Sequence, residues 1–218
     1  MRLGIFGGSF DPPHVGHLLV AQDAIEALAL DLLIIVPTGT QPLKREHRTA
    51  AAHRLAMVRQ CFEGVPKAEV DSIEVDRGGL SFMVDTVEHL QRQYPLAELL
   101  LLIGEDVVPT LPRWRDPERL LEMVSLVILD RADQPDDGNA AALSHTDTQG
   151  WPDAIPPGVV SARHLATRRV DVSSTEIRAR VGAGRSLRGF VPDAVASYIA
   201  STALYLGERL TEVDPVRA

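Results

Sequence analysis

Short apolar runs recur along the chain and are separated by segments whose apolar residues have helical spacing. Continuous apolar runs at 3–6, 32–36, 99–103 and 126–129 predict buried strands. Residues 68–75 alternate between apolar and polar side chains, which predicts a further strand nearer the edge of a sheet. Strands that are apolar on both faces are typical of a parallel sheet with helices packed on each side. The pattern therefore predicts the α/β class.

The segments between these strands have the periodicity of amphipathic helices. After residue 14, apolar side chains fall at Leu18, Ala21, Ile25 and Leu28, which share one helix face. Further helices are predicted over 49–62, 81–94, 117–123 and 192–202. We predict a Rossmann-like fold, a parallel sheet with helices on both faces, that occupies residues 1–218 as a single domain. Residues 173–218 are expected to form a small helical part of that domain.

The composition excludes several classes of protein. The chain has 45% apolar and 24% charged residues, and its formal net charge of −8 disfavours a general nucleic-acid binder. It lacks an apolar run of about 18 residues, the length that a membrane span needs. Cys61 is the one cysteine, so neither an intrachain disulfide nor a cysteine metal cluster can form. The first residues do not resemble a signal peptide, so we expect a cytoplasmic protein and leave a homo-oligomer open.

Charge is distributed unevenly toward the C-terminus. Six aspartates lie between Asp130 and Asp153 in a segment with little periodicity, so we expect a flexible acidic loop over 130–160. A lid over a site and an oligomer contact are alternative roles for this loop. Seven arginines follow between Arg163 and Arg188. A local positive field in an acidic chain favours an anionic ligand.

The most informative stretch is 7–17, which joins the first predicted strand to the first predicted helix. Gly7 and Gly8 let the backbone approach a ligand closely. His14 and His17 are three residues apart and therefore lie on one face of the helix start. Free N–H groups and the helix dipole already favour an anion at that place. The stretch therefore predicts a phosphate site at the carboxyl end of a strand.

A second helix start lies late in the chain. Ser173 and Glu176 have the spacing of a capping box, so a helix is predicted to begin there. Arg178 then lies just over one turn into the helix, where its planar guanidinium can bind two phosphate oxygens. Taken alone, this segment is better explained as a capped surface helix.

Two motifs, separated by about 160 residues, carry a family resemblance. Residues 8–17 resemble the G-x-F-D-P-x-H-x-G-H signature of the nucleotidyltransferases of the HxGH class, and 172–178 resemble their I-S-S-T-x-I-R signature, with Val172 in place of isoleucine. The resemblance implies an enzyme that joins a nucleotide to a phosphorylated acceptor. It implies an ATP site completed by residues 173–218 and formed by Gly7, Gly8, Ser9, Phe10, His14, His17, Gly104, Asp106, Ser174, Thr175 and Arg178.

Further pieces at 4–14, 35–37, Ser81 with 85–87, 103–106 and 111–114 are similar to the bacterial nicotinate-nucleotide adenylyltransferases. This resemblance implies that ATP and nicotinate mononucleotide react to give deamido-NAD and pyrophosphate, with Mg²⁺ bound to the ATP and no metal site of the protein's own. It implies catalytic roles for His14, His17, Arg178 and Lys44. It implies acceptor binding by Asp11, Met83, Trp114 and Arg115. Asp106 would bind the ribose hydroxyls.

Several alternatives stay open. Asp106 is also suited to a turn or helix cap, and Trp114 to anchoring a loop on the core. This chain has Leu43 and Met83 where the family often has histidine and threonine. Because Met83 carries no hydroxyl for a nicotinate carboxylate, the preference for the acid over the amide is open. Nicotinamide mononucleotide or phosphopantetheine as acceptor, and a non-catalytic nucleotide sensor, are the competing functions.

Overall fold

The computed structural model describes residues 1–42, 49–131, 143–146, 162–168 and 170–207. One sheet has the strand order β3-β2-β1-β4-β5-β7-β6. Its strands are β1 (Arg2–Gly8), β2 (Leu32–Pro37), β3 (Ala68–Val70), β4 (Glu98–Gly104), β5 (Ser125–Arg131), β6 (Leu143–Thr146) and β7 (Ala162–Thr167). Every neighbouring pair is parallel except β6 with β7, which is antiparallel. The predicted Rossmann-like α/β fold is confirmed.

Helices cover both faces of this sheet. They are α1 (Val15–Ala27), α2 (Ala51–Phe62), α3 (Ile73–Arg77), α4 (Met83–Gln93), α5 (Pro117–Met123), α6 (Ser174–Gly182) and α7 (Asp193–Ser201), with a 3-10 helix at Glu105–Arg113. Side chains of β4 alternate between the two apolar clusters, Leu100 and Leu102 in one, Leu101 and Ile103 in the other. The first cluster includes residues of α1, α2, α6 and α7, and the second includes α4, the 3-10 helix and α5. The alternation explains why these strands are continuously apolar.

The predicted strand over 68–75 is wrong in its second half. Only Ala68–Val70 pairs with β2, and the next residues form the short helix α3. The cause is local, because Asp71 Oδ1 accepts a hydrogen bond from the backbone N–H of Ile73 at 2.8 Å. A short polar side chain that bonds to the backbone in this way competes with the sheet ladder and turns the chain.

The expected acidic loop over 130–160 also needs correction. β5 continues through Arg131, and Leu143–Thr146 form β6, which pairs with β7. This strand gives little sequence signal, because only one of its four residues, Leu143, is apolar. The remaining residues of that segment, 132–142 and 147–160, lie outside the described residues, so a lid or oligomer contact stays a prediction.

The parallel strands bring their carboxyl ends to one edge of the sheet. β1, β4, β5 and β7 are consecutive neighbours there. The segment 9–14 follows β1, the 3-10 helix follows β4, and residues 168–173 lead from β7 to α6. In sheets of this type, ligands bind at that edge. None of the described helices combines the length and apolar character that crossing a membrane requires.

Candidate active site

Two neighbouring cavities open along the carboxyl edge of the sheet, with volumes of about 510 Å³ and about 270 Å³. Asp106 and Val107 line both, so the two cavities meet at the start of the 3-10 helix. The larger cavity is lined by Phe6, Gly7, His14, Gly16, His17, Val20, Gly104, Glu105, Asp106, Val107, Leu129, Asp130, Thr167, Arg168, Val170 and Val172. The smaller cavity is lined by Thr38, Gln41, Pro42, Glu74, Ser81, Phe82, Met83, Asp106, Val107, Thr110, Arg113, Trp114 and Arg115.

The two histidines lie together at the start of α1. His14 is the N-terminal capping residue, and its backbone N–H donates a hydrogen bond to His17 Nδ1 at 3.1 Å. The two ring centroids are 3.7 Å apart, with the planes inclined by 33°. Because Nδ1 of His17 accepts, the neutral ring carries its proton on Nε2 and can donate that proton to an anion. Both histidines line the larger cavity, so the site has donors at a helix N-terminus.

Gly16 and Phe10 hold these rings in place. A Cβ atom at Gly16 would lie only 3.0 Å from His14 Nδ1, so a side chain there would displace the ring. Phe10 is 2% exposed, and its ring packs edge-on against His17 with centroids 4.9 Å apart. The Phe10 side chain is not among the residues that line the two cavities, and the expected contribution of Phe10 to the ATP site stays a prediction. Burial of an apolar ring is favourable, and Phe10 supports His17 from the core rather than lining either cavity.

The glycines beside them have close neighbours. A Cβ at Gly8 would lie 2.9 Å from the Phe10 ring, and one at Gly7 would lie 2.7 Å from Met83 Cε. Gly7 lines the larger cavity, whereas Gly8 belongs to the packing of Phe10. A Cβ at Gly104 would lie 2.5 Å from Asp106 Oδ1, so the Asp106 carboxylate lies over the end of β4.

The second helix start lies against the segment that follows β1. Ser173 Oγ accepts a hydrogen bond from the Glu176 N–H at 3.1 Å, which confirms the predicted N-cap of α6. Arg178 Nη1 donates to the carbonyl oxygen of Asp11 at 2.7 Å, and Ser174 Oγ donates to that of Pro12 at 2.8 Å. Arg178 Nη2 also donates to Thr175 Oγ1 at 3.1 Å. The fold therefore brings the two motifs together, although these three α6 residues are not among those that line the cavities.

Asp11, which is expected to bind the acceptor, makes an internal contact with its side chain. Its side chain is 6% exposed, and Oδ1 accepts a hydrogen bond from the Tyr205 hydroxyl at 2.7 Å. Burial, and next the neighbouring Asp11, raise the pKa of Tyr205, so the hydroxyl keeps its proton and remains the donor. A buried carboxylate needs such a donor. Asp11 therefore joins the C-terminal segment to the site, and its contact with the acceptor stays a prediction.

Arg54 is a structural residue of the site that sequence analysis missed. It is fully buried, and its guanidinium donates to the carbonyl oxygens of Ser9 at 2.8 Å, Gly39 at 2.7 Å and Thr49 at 3.2 Å. Burial lowers the pKa of Arg54, and the negative charge of Asp11 opposes that shift. Ser9, expected at the ATP site, thus has its carbonyl held by Arg54, and its hydroxyl donates to Gln41 Oε1 at 3.3 Å. One signal was available, because Arg54 occupies the apolar face of α2.

Three of the predicted acceptor residues line the smaller cavity together: Met83, Trp114 and Arg115. Trp114 Nε1 donates to Thr110 Oγ1 at 3.0 Å, and its ring also packs on the apolar core. The Arg115 guanidinium lies 4.7 Å from the centroid of the Phe82 ring and 3.7 Å from the Asp85 carboxylate. The cavity therefore combines an aromatic wall with a cation. Lys44 lies outside the described residues.

Glu74 was not anticipated in this cavity. It is 2% exposed, and its Oε1 accepts a hydrogen bond from Thr86 Oγ1 at 2.8 Å. Burial raises the pKa of the Glu74 carboxyl, and hydrogen bonds from Thr86 and Ser81 oppose the shift. Since its partner Thr86 lies on another helix, the pattern of α3 gives no sign of this role.

A parallel α/β sheet with donors at two helix starts and a divided cavity at its carboxyl edge defines a nucleotide-binding transferase. The family model described as cytidylyltransferase-like matches residues 5–180, which include both cavities and the start of α6. The chain is 64% identical over 205 residues to the protein named "Probable nicotinate-nucleotide adenylyltransferase" of Gemmatimonas aurantiaca, covering 94% of this chain and 92% of that one. A protein of the same name from Herpetosiphon aurantiacus is 38% identical over 208 residues, with 94% and 98% covered.

A solved structure gives the same fold. The nicotinic acid mononucleotide adenylyltransferase of Plasmodium falciparum, complexed with APC, superimposes with a TM-score of 0.70, 17% sequence identity and 95% and 98% of the two chains covered. Likeness at this identity concerns the fold alone. The family model and the two relatives lead to one conclusion. The chain belongs to the nicotinate-nucleotide adenylyltransferases, within the cytidylyltransferase-like family.

Proposed function

We propose that this protein transfers the adenylyl group of ATP to nicotinate mononucleotide, giving deamido-NAD and pyrophosphate in NAD biosynthesis. One observation carries the proposal: two cavities of unequal size meet at Asp106, and the larger contains the His14–His17 pair at a helix N-terminus. A reaction between two nucleotides needs such adjoining sites. The names of the relatives support this choice of substrates.

ATP would occupy the larger cavity. Its phosphates would lie at the start of α1, where Gly7 allows close approach and His14 and His17 add donors to those of the helix. Asp106, which lies over Gly104 at the end of β4, would accept hydrogen bonds from the ribose hydroxyls. The pyridine ring of the acceptor would enter the smaller cavity beside Trp114 and Met83.

The chemistry would need little covalent assistance from the protein. The acceptor phosphate oxygen attacks the α-phosphorus of ATP in line, a new P–O bond forms, and the bond to the bridging oxygen breaks to release pyrophosphate. Since the attacking phosphate is already an anion near neutral pH, no general base is required. Catalysis would then rest on positioning and on charge stabilisation by His14, His17, Arg178 and Lys44.

Arg178 and its neighbours would act from the second helix start. The Arg178 guanidinium donates to the Asp11 carbonyl oxygen. Because its N–H donors lie in one plane, the same group can also donate to phosphate oxygens that lie beyond that carbonyl. Ser174 and Thr175 would lie close to the nucleotide at the same place, because Ser174 is anchored to Pro12. The C-terminal part 173–207 would in this way complete the ATP site.

Mg²⁺ is expected to arrive bound to ATP, where it neutralises part of the phosphate charge. In the residues that the structure describes, no group of three or more His, Cys, Asp and Glu side chains could hold a metal ion. We assign no protein ligand and no step of the reaction to the ion.

Pyrophosphate release, assayed with ATP and each acceptor in turn, tests the proposal. We expect the highest kcat/KM with nicotinate mononucleotide. Faster reaction with nicotinamide mononucleotide or phosphopantetheine would contradict the proposed acceptor but would agree with the proposed adenylyl transfer. Binding of ATP without pyrophosphate release from any of the three acceptors would favour a nucleotide sensor and overturn the proposed activity.

A further inference from the structure

An ion pair between a buried aspartate and a partly exposed arginine joins the middle of α1 to the chain just beyond β7. Asp23 is 0% exposed, and its Oδ2 accepts a hydrogen bond from the backbone N–H of Arg168 at 3.0 Å. Its Oδ1 lies 2.9 Å from Arg168 Nε and 2.7 Å from Nη2. Asp23 therefore holds both the backbone and the guanidinium of a residue 145 positions away.

This pair restrains Arg168 strongly. A buried carboxylate is costly unless a cation and hydrogen bonds compensate it, so breaking the contact would leave Asp23 uncompensated. The Arg168 side chain itself is 47% exposed. Its contacts with Asp23 use the edge of the guanidinium that carries Nε and Nη2, and leave the flat faces of the group for other neighbours.

Arg168 lies at one end of the larger cavity. It lines that cavity with Thr167, the last residue of β7, whereas Gly7, the seventh residue of the chain, lines it at the end of β1. β1 and β7 are three strand positions apart, which corresponds to roughly 14 Å at the usual spacing. With the ATP phosphates at the histidines and the ribose near Asp106 at β4, the base is directed toward β5 and β7.

We propose that the adenine base of ATP stacks on the guanidinium of Arg168, and that Asp23 is the positioning residue that holds this stacking surface. The inference rests on the proposed function, because it takes ATP as the ligand of the larger cavity. Arginine presents a planar cation suited to the face of an aromatic base. Leu129, Val170 and Val172 line the same cavity and add the apolar contact that a base requires.

The test compares the affinity of the full-length protein for ATP with that for inorganic tripolyphosphate, each measured by calorimetry. Tripolyphosphate reports on the phosphate end alone, and ATP reports on both ends. Arg168→Lys keeps the positive charge near Asp23 and removes the planar guanidinium on which the base would stack. We expect its Kd for ATP to rise at least about fivefold, the lower end of the cost of losing one stacked base, while its Kd for tripolyphosphate stays within about twofold.

A second variant removes Arg168 without leaving an unpaired buried charge that would disturb the fold. Asp23→Asn combined with Arg168→Leu removes both charges, and the amide oxygen can still accept from the backbone N–H of residue 168. The same selective loss of ATP affinity is expected. Arg163→Lys is the matched control, because Arg163 lies at the other end of β7 and pairs with Glu98 at 3.5 Å. It should bind both ligands as the wild type does.

Two outcomes would overturn the inference: unchanged ATP affinity in both folded variants, or an equal loss of ATP and tripolyphosphate affinity. Failure of the proposed function can be told apart from these two outcomes, because it is measured on the wild-type protein and not on the variants. A wild-type protein that bound ATP no more tightly than tripolyphosphate and transferred no adenylyl group would contradict both accounts. A wild-type protein that transfers the group while Arg168 variants bind ATP normally would contradict this inference alone.

Discussion

The Arg178 guanidinium donates a hydrogen bond from Nη1 to the backbone carbonyl oxygen of Asp11 at 2.7 Å, across 167 residues of sequence. Asp11 lies three residues before His14, the capping residue of α1. The contact therefore fixes a cation from α6 beside the start of α1. Convergence of these two helix starts is the basis of the phosphate site that we propose.

Replacing Arg178 with lysine tests this contact. Lysine keeps the charge but cannot hold the Asp11 carbonyl and direct further donors at a phosphate in one plane, so kcat should fall at least about a hundredfold. Initial rates of pyrophosphate release at saturating ATP measure the effect. Arg185→Lys, on an exposed arginine just after α6, should leave kcat unchanged. A kcat within about twofold of wild type in Arg178→Lys would remove this arginine from the transition state.

The Tyr205 hydroxyl should contribute to stability. Tyr205→Phe removes the donor to the buried Asp11 carboxylate, so the free energy of unfolding should fall by about 1–3 kcal/mol. Urea unfolding, with the slope against denaturant compared between variants, measures the change. The control is Tyr94→Phe. The hydroxyl of Tyr94 accepts a hydrogen bond from an exposed glutamine amide, Gln93 Nε2, at 3.3 Å. Equal losses in the two variants would contradict the role given to the Asp11–Tyr205 bond.

Glu74 should make stability depend on pH. Because burial raises the pKa of Glu74 above its ordinary value of 4.5, the folded state binds this proton more tightly than the unfolded chain does. The resulting stabilisation is complete below pH 4.5 and is lost as the pH rises through the higher folded-state pKa. The glutamine of Glu74→Gln has no ionisable group, and its amide oxygen can still accept the hydrogen bond from Thr86.

The free energy of unfolding of Glu74→Gln, relative to wild type, should therefore increase from about pH 4 upward and then level off. Urea unfolding of both proteins between about pH 4 and about pH 8 measures this difference. Glu69→Gln, on an exposed glutamate of β3, should show no comparable trend. A relative stability that stays constant or declines with pH would show that Glu74 is not held protonated by burial.

Met83 is expected to influence which pyridine nucleotide is preferred. Met83→Thr places a hydroxyl in the smaller cavity, where it can donate to a nicotinate carboxylate. The ratio of kcat/KM for nicotinate over nicotinamide mononucleotide should rise roughly two- to tenfold, the contribution of one hydrogen bond. Met123→Thr, on α5 and outside both cavities, is the control. An unchanged ratio would contradict the placement of the acceptor ring beside Met83.

Local patterns in the sequence predicted most of the fold. The helix expected over 117–123 is α5, because Pro117 begins it and an apolar strand follows directly. The capping serine Ser173 likewise marked the start of α6. Both signals lie within one turn of the feature that they predict. β3 was overestimated because a single side chain, Asp71, redirects the backbone without disturbing the alternating pattern.

The site was predicted less completely, for two physical reasons. Arg54 and Asp23 act on backbone groups 45 and 145 residues away, and such contacts leave no periodic signal. Phe10 and Asp11 belong to the motif that predicts the phosphate site, and their side chains are buried in the protein. A motif identifies where a site lies, but the direction of each side chain depends on packing with residues such as Phe62 and Tyr205.

The single-turnover rate of adenylyl transfer in His17→Ala tests the central claim most directly. His17 lines the larger cavity and is oriented by the His14 N–H, so losing its donor should slow the chemical step at least about a hundredfold. His89→Ala, on an exposed histidine of α4, should react at the wild-type rate, and thermal unfolding should show both variants folded. A folded His17→Ala variant that reacts as fast as wild type would contradict the phosphate site at the start of α1.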